Sequence, residues 1–473
     1  MNKPTILFLS RARCDAFFIE IINNLKQDYN IVVAVTDENR ALYAAVEGIA
    51  LEDWHDEEIN KAEIEKLTAG QLEQVKDIEK TLGMNCYHFN INYFLYEKFV
   101  NRYANDLKNK AANAITPQRL LLDYNLLDAI IKRHDVKYAF FETVDLLNTT
   151  ILTAMAKQGI IRQAFAHEIN PIGGEMRVRI VSGQYRRSTK LEQILKNDQI
   201  SAESMKWAEQ AVAKYRTEKP QTGYDAYHAK MGEKMLPYSP KEFISKIKRS
   251  LHGESLLPAL IRLKNRLLSK KYFSNELPEG KIVSYFLQLT PEATMCSQVP
   301  EFANQEHMLE QIAIHGKYGY TVVIKEHPAG FGNRPPSFYR ELVNLPNVVM
   351  LAPSFPTREV ILRSEAVVVA TGTSPGLESI ATNVPVICLG NPYFNLCKNT
   401  VSIEHPRQVW DVIESIKADP KETVRFVAGL HQASYEYSNY VSKEEFMVRK
   451  NCGELVAKGL ADEISLYESG VLK

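Results

Sequence analysis

The sequence predicts an α/β protein with two Rossmann-like domains, and three observations support this fold class. First, the chain of 473 residues is longer than a single hydrophobic core usually serves. Second, short runs rich in Val, Ile and Leu alternate with segments of helical length in two series, which is typical of buried parallel strands. Third, a stretch without this alternation separates the two series. We therefore expect two parallel sheets, one in each domain, with a cleft between them.

The first series predicts an N-terminal domain over residues 1–176. A helical insertion at about 59–134 falls between its second and third strands and carries an aromatic-rich segment from Tyr87 to Tyr103. These rings either pack against the sheet or form a stacking surface for the sugar rings of an acceptor. The strands are expected at Thr5–Leu9, Asn30–Val35, Lys137–Phe141 and Arg162–Ala166.

The sheet pattern stops at about Arg177, which predicts a helical connector over residues 177–280. Its basic segment Lys246–Lys271 carries leucines near helical spacing, interrupted by Pro258. Such a helix either lies on an anionic bilayer, here the inner face of the cytoplasmic membrane, or packs on the protein as a solvated helix.

Composition and charge exclude several classes of function. Lys+Arg and Asp+Glu both number 57, so the formal net charge is zero and no nucleic-acid partner is indicated. The six cysteines show no metal-binding spacing, and no apolar run reaches the length of a membrane span, about 18 residues. The N-terminal run Ile6–Leu9 is too short for a signal peptide. We therefore expect a reduced, cytoplasmic protein.

The second series predicts a C-terminal domain over residues 281–419, followed by helices over 420–473. Polar residues stand directly behind each of its five short apolar runs. In open α/β sheets ligands bind outside the carboxyl ends of the strands, so these residues indicate a site for an anionic, sugar-like or nucleotide ligand. The strands are expected at Lys281–Leu287, Thr321–Ile324, Asn347–Leu351, Ala366–Ala370 and Pro385–Leu389. The polar residues that follow them are Gln288, Lys325 to Pro328, Ser354, Thr371 to Ser374, and Gly390 to Pro392.

The segment Lys325-Glu326-His327-Pro328 closes the second of these strands. Pro328 turns the chain, so the imidazole of His327 is expected at the edge of the sheet, beside Lys325. A histidine there can donate to a phosphate or polarise a leaving group. The alternative is a histidine that caps a helix or bonds to the backbone.

The segment Thr371-Gly372-Thr373-Ser374 follows the fourth strand and leads into a helix. Ser374 is expected as the N-cap and Pro375 in the first turn. Amides at such a helix start, together with the helix dipole, favour an anion, and the carboxylate of Glu378 suits the two hydroxyls of a ribose. The alternative is a capped helix with a purely structural role. The full phosphate-binding P-loop pattern is missing.

Three acids are candidates for sugar chemistry. Glu292 follows the first strand of the second series and serves as acid, base or nucleophile, or is a solvated residue of a turn. Glu142 and Glu168 end two strands of the first series. Either one would be the partner of Glu292, since glycosyl transfer commonly uses paired carboxylates. The sequence holds no DxD, HExxH or EF-hand pattern, so neither a metal nor another cofactor is expected.

These motifs, in the order Gln288 to Glu292, Lys325 to Pro328, and Thr371 to Glu378 before Val384-Pro385-Val386-Ile387, resemble bacterial capsule polysaccharide biosynthesis proteins. That family includes β-Kdo transferases. The similarity covers residues 281–395, and in the N-terminal half it is limited to the βα pattern and the two strand-end glutamates. The resemblance implies the GT-B architecture and a glycosyltransferase that uses a CMP-activated ulosonic acid, such as Kdo, in capsule or lipopolysaccharide synthesis.

The resemblance also assigns roles to residues. His327 would meet the donor phosphate, and Glu292 matches the loop position at which related retaining Kdo transferases use a carboxylate nucleophile, usually an aspartate. The implied partners are a CMP-sugar donor and a glycan or glycolipid acceptor. The resemblance assigns the nucleotide to Thr371, Gly372, Thr373, Ser374 and Glu378. With the strand-end residues, the expected donor-binding set is Gln288, Lys325, His327, Ser354, Thr371, Gly372, Thr373, Ser374 and Glu378.

Three other functions remain open from the sequence. A CDP-polyol phosphotransferase of the teichoic-acid type also carries a Lys-x-His-Pro strand end, but there the acceptor attacks phosphorus. A UDP-sugar 2-epimerase shares the two-domain form and needs no acceptor site. A scaffold for polysaccharide assembly would keep the fold without the activity.

Overall fold

A computed structural model describes residues 3–11, 14–54, 67–89, 111–172, 175–183, 185–217, 256–289, 294–436 and 452–470. The chain divides into two compact units. The first joins Met1–Phe94, Leu107–Ser204 and Ala428–Lys473, and the second holds Met205–Val427.

The first unit is built on a sheet of seven strands among the residues that the structure describes, in the order β13-β6-β5-β4-β1-β2-β3. Strands β1 to β5 pair in parallel, whereas β6 and β13 are antiparallel to their neighbours. The elements of the first unit up to residue 204 are β1 (Thr5–Leu9), α1 (Asp15–Leu25), β2 (Asn30–Val35), α2 (Asp37–Ala44), β3 (Ala50–Asp53), α3 (Ala69–Leu82), α4 (Cys86–Phe89), α5 (Ala111–His134), β4 (Val136–Phe141), α6 (Leu147–Lys157), β5 (Gln163–Ile172), β6 (Glu175–Ser182) and α7 (Thr189–Lys196). The next helix, α8 (Ala202–Thr217), begins at the end of this segment and lies mostly in the second unit.

The second unit is built on six parallel strands, in the order β12-β11-β10-β7-β8-β9, within the described part of the chain. Its elements are α9 (Leu256–Ser269), β7 (Lys281–Phe286), α10 (Gln305–Ile314), β8 (Tyr320–Lys325), α11 (Pro336–Val343), β9 (Val348–Leu351), α12 (Thr357–Arg363), β10 (Ser364–Val369), α13 (Ser374–Ala381), β11 (Val386–Cys388), β12 (Thr400–Ser402) and α14 (Val409–Val412). The chain then continues through α15 (Pro420–Ala433), β13 (Tyr435–Glu436) and α16 (Cys452–Glu468).

Both sheets have the same internal order. Read from β3 or from β9, the strands run 3-2-1-4-5-6, the doubly wound arrangement of dinucleotide-binding folds. The central strands are buried on both faces, as their unbroken apolar sequences predict; every residue of β1 is buried, for example. In this arrangement the strand order reverses between β1 and β4 in one sheet and between β7 and β10 in the other. These two switch points are where ligands bind in such folds.

The predicted α/β class with two Rossmann-like sheets is confirmed, and so are the predicted strands, to within a few residues except at the end of β5. The cleft and the domain bounds drawn from the sequence stay predictions.

The expectation that the sheet ends near Arg177 is wrong, because β6 continues it to Ser182. Arg177 and Arg179 alternate with apolar residues, and alternating arginines suggest a solvent-facing side. Both are buried, because Arg179 pairs with Glu168 and Arg177 bonds to Ser434.

The expectation of helices alone over 420–473 is also corrected. Tyr435–Glu436 is a short strand on β6, and α16 packs against α1 in the first unit. In the connector, Pro258 lies in the first turn of α9, where a proline is tolerated, and the helix continues past it. Residues 246–255 of the basic segment and residues 90–103 of the aromatic-rich segment lie outside the described residues.

Candidate functional site

The switch point of the second sheet joins two of the predicted donor-binding residues. Gln288 follows β7 and Thr371 follows β10, and the Thr371 hydroxyl donates to Gln288 Oε1 over 2.7 Å. Both residues are buried. A neutral hydrogen bond therefore joins the two strand ends at the point where the strand order reverses.

The side chain of Gln305, the first residue of α10, holds the backbone of Gln288 in place. The Gln288 amide donates to Gln305 Oε1 at 2.9 Å, and Gln305 Nε2 donates back to the Gln288 carbonyl at 3.0 Å. The Tyr285 hydroxyl donates to the same Gln305 oxygen at 3.2 Å. Burial raises the pKa of Tyr285 well above its usual range, so this phenol stays a donor. The end of β7 is thus held by a side chain that imitates a strand partner.

Glu326, at the end of β8, lies beneath the site. It is fully buried, and its Oε1 accepts from the His327 amide at 2.7 Å and from Arg334 Nη1 at 2.6 Å. Its Oε2 accepts from the Tyr339 hydroxyl at 2.6 Å. Arg334 Nη2 reaches the Gln288 carbonyl at 2.5 Å. A buried carboxylate requires such a set of partners, because an unpaired charge there would be strongly destabilising.

His327 sits partly exposed at the turn that Pro328 makes. Its Nδ1 accepts from the Ala329 amide at 3.1 Å and caps the short 3₁₀ turn Pro328–Gly330. The backbone-bonded alternative is therefore present. A neutral ring bonded in this way carries its proton on Nε2, which makes Nε2 a donor. The two roles use different nitrogens of one ring, so the capping bond is compatible with a contact to an anion.

Lys325 and Ser354 lie on neighbouring strand ends. Lys325 is buried, and its ammonium donates to the Pro353 carbonyl at 3.1 Å. Ser354 is exposed in the turn after β9. Lys325 thus ties the end of β8 to the turn that carries Ser354.

The loop before α13 differs from expectation at its cap. The N-cap is Thr373, and Ser374 is the first helical residue and exposed. Pro375 has no N–H, and the Gly376 amide donates to the Thr373 carbonyl at 3.1 Å. The Ser374 amide and the helix dipole are therefore what this end offers an anion. Sequence reasoning missed the cap by one residue, because Thr and Ser are both good caps.

Gly376 and Glu378 define the first turns of α13. A Cβ on Gly376 would lie 2.7 Å from the Phe394 ring, so only glycine allows this approach. Glu378, two residues further along, is buried, and its backbone carbonyl accepts from the Thr382 hydroxyl at 2.8 Å. The structure therefore brings Gln288, His327 and the Thr371 loop to one sheet edge, with Glu378 inside the helix that follows.

The two acids predicted in the first unit are held by arginines. Arg11, at the end of β1, approaches Glu142 Oε2 at 3.0 Å and Asp145 Oδ2 at 3.0 Å. Glu168 pairs with the buried Arg179 at 2.7 Å. The third acid, Glu292, lies outside the described residues.

Thiols near the second sheet are chemically quiet. Burial raises the pKa of the Cys397 thiol to about 12 and that of Cys388 well above its usual range. Both stay protonated, so neither provides a thiolate nucleophile. Within the described ranges, no three His, Cys, Asp or Glu side chains form a group that could hold a metal ion.

Comparison with known proteins gives the family. The family model for capsule polysaccharide biosynthesis proteins matches residues 181–428, more than half of the 473-residue chain. The chain belongs to this family. The match contains the whole second sheet with Gln288, His327 and Thr371. It begins after Glu142 and Glu168.

Solved structures similar to this family member include two of KpsC from Thermosulfurimonas dismutans. KpsC, beta Kdo 2,7 transferase, is 12% identical over 73% of this chain and 94% of that chain, with a TM-score of 0.38. KpsC, beta Kdo 2,4 transferase, is 14% identical over 64% and 80%, with a TM-score of 0.34. Anabaena HepE, solved with UDP and glucose, is 12% identical over 98% and 99%, with a TM-score of 0.27. No curated protein matches the sequence.

Three site residues of this family member escaped the sequence reasoning: Gln305, Arg334 and Tyr339. Each follows a strand end by a loop or helix, and none belongs to a recognisable motif. Arg334 carried one signal, a lone arginine before Pro335-Pro336, soon after the buried strand end.

Among the helices that the structure describes, none is long and apolar enough to cross a membrane.

Proposed function

We propose that this protein is a glycosyltransferase that moves an ulosonic acid such as Kdo from CMP to a glycan or glycolipid in capsule or lipopolysaccharide synthesis. The observation that carries the proposal is the edge of the second sheet at its switch point, which carries the Gln288–Thr371 pair, the start of α13 and, on the neighbouring strand end, His327. That combination supplies a donor for phosphate, neutral hydrogen-bonding groups and a helix dipole. Membership in the capsule polysaccharide biosynthesis family supports it.

In the proposed donor complex, the phosphate of CMP lies between His327 Nε2 and the Ser374 amide. Gln288, Lys325, Ser354, Thr371, Gly372 and Thr373 line or shape the site, and Glu378 serves the ribose. As the bond between the anomeric carbon and the phosphate oxygen breaks, negative charge grows on the phosphate. A positioned N–H donor stabilises that charge more in the transition state than in the ground state.

The proposed reaction is a double displacement. A carboxylate oxygen of Glu292 bonds to the anomeric carbon as CMP leaves with the electron pair. The acceptor hydroxyl then attacks the same carbon, the bond to Glu292 breaks, and the hydroxyl proton passes to a second carboxylate, Glu142 or Glu168. Two inversions give net retention. No metal or other cofactor takes part in the proposal.

A donor screen tests the proposal. Purified protein is incubated with CMP-Kdo, a CDP-polyol and UDP-N-acetylglucosamine, and nucleotide release and product mass are measured. CMP release with transfer to an acceptor is expected. Release from a CDP-polyol, with a phosphodiester product, would move the function to a phosphotransferase. Conversion of the UDP-sugar without an acceptor would indicate an epimerase.

We further propose a cytoplasmic enzyme that associates with the inner face of the membrane through α9. One side of this helix is tied to the second unit, because Asn265 Nδ2 donates to the Gly332 carbonyl at 3.1 Å and Arg266 Nε to the Phe331 carbonyl at 3.0 Å. Leu263 and Leu267 are 47% and 59% exposed. Leucines among lysines and arginines suit an anionic bilayer surface.

Vesicle flotation tests the membrane proposal. The full chain should float with vesicles that contain phosphatidylglycerol and not with pure phosphatidylcholine. Leu263→Ser with Leu267→Ser should abolish flotation, whereas Leu362→Ser, another exposed leucine of the second unit, should not. Equal flotation of both variants would refute a role for α9.

A further inference from the structure

We propose that Arg334 and Glu326 are positioning residues that hold the His327 turn and couple it to the Gln288–Thr371 pair. This inference rests on the proposed function for the identity of the ligand, while the coupling itself is a property of the unliganded protein. Arg334 belongs to none of the sequence motifs, and Glu326 enters them only as the neighbour of His327.

Arg334 connects two strand ends with one planar group. Its Nη1 donates to Glu326 at the end of β8, and its Nη2 donates to the Gln288 carbonyl at the end of β7. The guanidinium also lies over the Phe338 ring, 5.2 Å from the centroid. A lysine offers no second donor in fixed geometry, so only arginine can bond to both strand ends and stack on this ring.

Glu326 transmits that anchoring to His327. The same Oε1 that accepts from Arg334 accepts from the His327 amide, and Tyr339 holds the other oxygen. The side chains of Glu326 and Arg334 are 0% and 5% exposed, so water does not screen the pair or replace its bonds. The backbone of the turn is thereby fixed at the residue whose ring carries the proposed phosphate donor.

A continuous path of hydrogen bonds follows from these contacts. It runs from the His327 amide through Glu326 and Arg334 to the Gln288 carbonyl, and from the Gln288 side chain to Thr371. Three strand ends, those of β7, β8 and β10, are joined in this way. A disturbance of Arg334 should therefore reach both His327 and the Thr371 loop.

Gly330 is independent evidence that the turn is built around the ion pair. A Cβ at this position would lie 2.9 Å from Glu326 Oε1 and 3.0 Å from Arg334 Nη1. The φ angle of Gly330 is not in the left-handed region, so its backbone does not require glycine. A Cβ there would instead press on the ends of the two charged side chains. Gly330→Ala is therefore a variant that presses on the pair without changing any charge.

The experiment compares Arg334→Met, Arg334→Lys and Gly330→Ala with Arg340→Met. Arg340 lies on α11, is exposed and pairs with Glu341, which makes it a matched control. Three quantities are measured in each folded variant: amide hydrogen exchange of residues 326–331, the tautomer of His327 by ¹⁵N NMR, and CMP affinity by calorimetry.

Arg334→Met should speed exchange of the His327 and Ala329 amides and weaken CMP binding, each by about tenfold, the equivalent of one lost hydrogen bond. The His327 ring should change from a single Nε2–H tautomer to a mixture. Arg334→Lys and Gly330→Ala should show smaller changes in the same direction, and Arg340→Met none. If Arg334→Met does not fold, the other two variants decide.

Unchanged exchange and an unchanged His327 tautomer in Arg334→Met, or in both other variants, would overturn the inference. A wild-type protein that binds no cytidine nucleotide would refute the proposed function alone, because exchange and tautomer are measured without ligand. The positioning role alone would be refuted if the wild type binds CMP normally but the amide exchange and the His327 tautomer do not change in the Arg334 variants.

Discussion

The two switch points of this molecule share the same strand order but differ in where their ion pairs lie. Between β1 and β4, Arg11 pairs with Glu142 and Asp145 at the sheet edge, where its side chain is 28% exposed. Between β7 and β10, the neutral pair Gln288–Thr371 takes that place. The second sheet has an ion pair as well, Glu326–Arg334, but it lies in the interior.

The difference indicates which edge suits an anion. At the first switch point cation and carboxylates already compensate each other, so an incoming phosphate would compete with Glu142 and Asp145. At the second, the Glu326–Arg334 pair lies below the surface, and the residues above it contribute a histidine donor and a helix start. This contrast supports the proposal that the donor binds in the second unit.

The largest effect is expected from substitution of Glu292, the proposed nucleophile of the second unit. Glu292→Gln should lower turnover with CMP-Kdo on the order of 10⁴-fold or more, because the nucleophile is lost. Intact mass spectrometry of the wild type should show a sugar adduct on Glu292. The variant should still bind CMP. Full turnover by the Gln variant would make Glu292 a surface acid.

His327→Ala should lower turnover on the order of 10²–10³-fold while the protein stays folded, because a charge-stabilising donor is lost from the leaving phosphate. Steady-state kinetics and circular dichroism provide the measurement. The exposed His315 of the same unit gives the control, and His315→Ala should be unaffected. Near-native turnover by a folded His327→Ala protein would refute binding of the donor phosphate at this edge of the sheet.

The two ion pairs should differ in their contribution to stability. Arg334→Met should cost about 3–5 kcal/mol of unfolding free energy, because it leaves a buried carboxylate without its cation. Arg11→Met should cost about 1 kcal/mol, because solvent screens a partly exposed pair. Both free energies are obtained from urea unfolding that is monitored by amide hydrogen exchange in each unit. Equal costs would show that depth of burial does not separate the two edges.

The smallest expected effect is that of metal removal. Activity should be unchanged by EDTA, because the sequence holds no DxD pair and a histidine donor with a helix start is available to the phosphate. Initial rates with and without EDTA are compared. A loss of activity that magnesium restores would contradict the prediction that the donor site works without a metal.

The fold was predictable because strong local signals determine it. The strands Thr5–Leu9 and Asn30–Val35 were predicted to the residue, since apolar runs between turn residues leave little freedom. Neither the end of β5 nor β6 was predicted, because burial of Arg177 and Arg179 depends on partners from other elements, Ser434 for Arg177 and Glu168 for Arg179. Long-range pairing is invisible to a local pattern.

The candidate site divides in the same way. The sequence indicated His327 and the Thr371 loop, because strand ends and a capped helix leave local signatures. It did not indicate Arg334 or Gln305, whose contacts depend on how a later helix packs over an earlier strand. Glu326 was noticed only as a neighbour of His327, since nothing local shows that its side chain points inward.

The return of the chain to the first unit has a consequence for biogenesis. The core beneath β1 includes Val456, Leu460 and Ile464 of α16, and a Cβ on Gly453 would lie 2.2 Å from that of Glu20 on α1. On the ribosome, β1 is made long before α16, whereas β7 to β12 emerge as one uninterrupted series. The second unit can thus fold while synthesis continues. The first must wait with an open apolar face, and that face is where chaperones would bind the nascent chain.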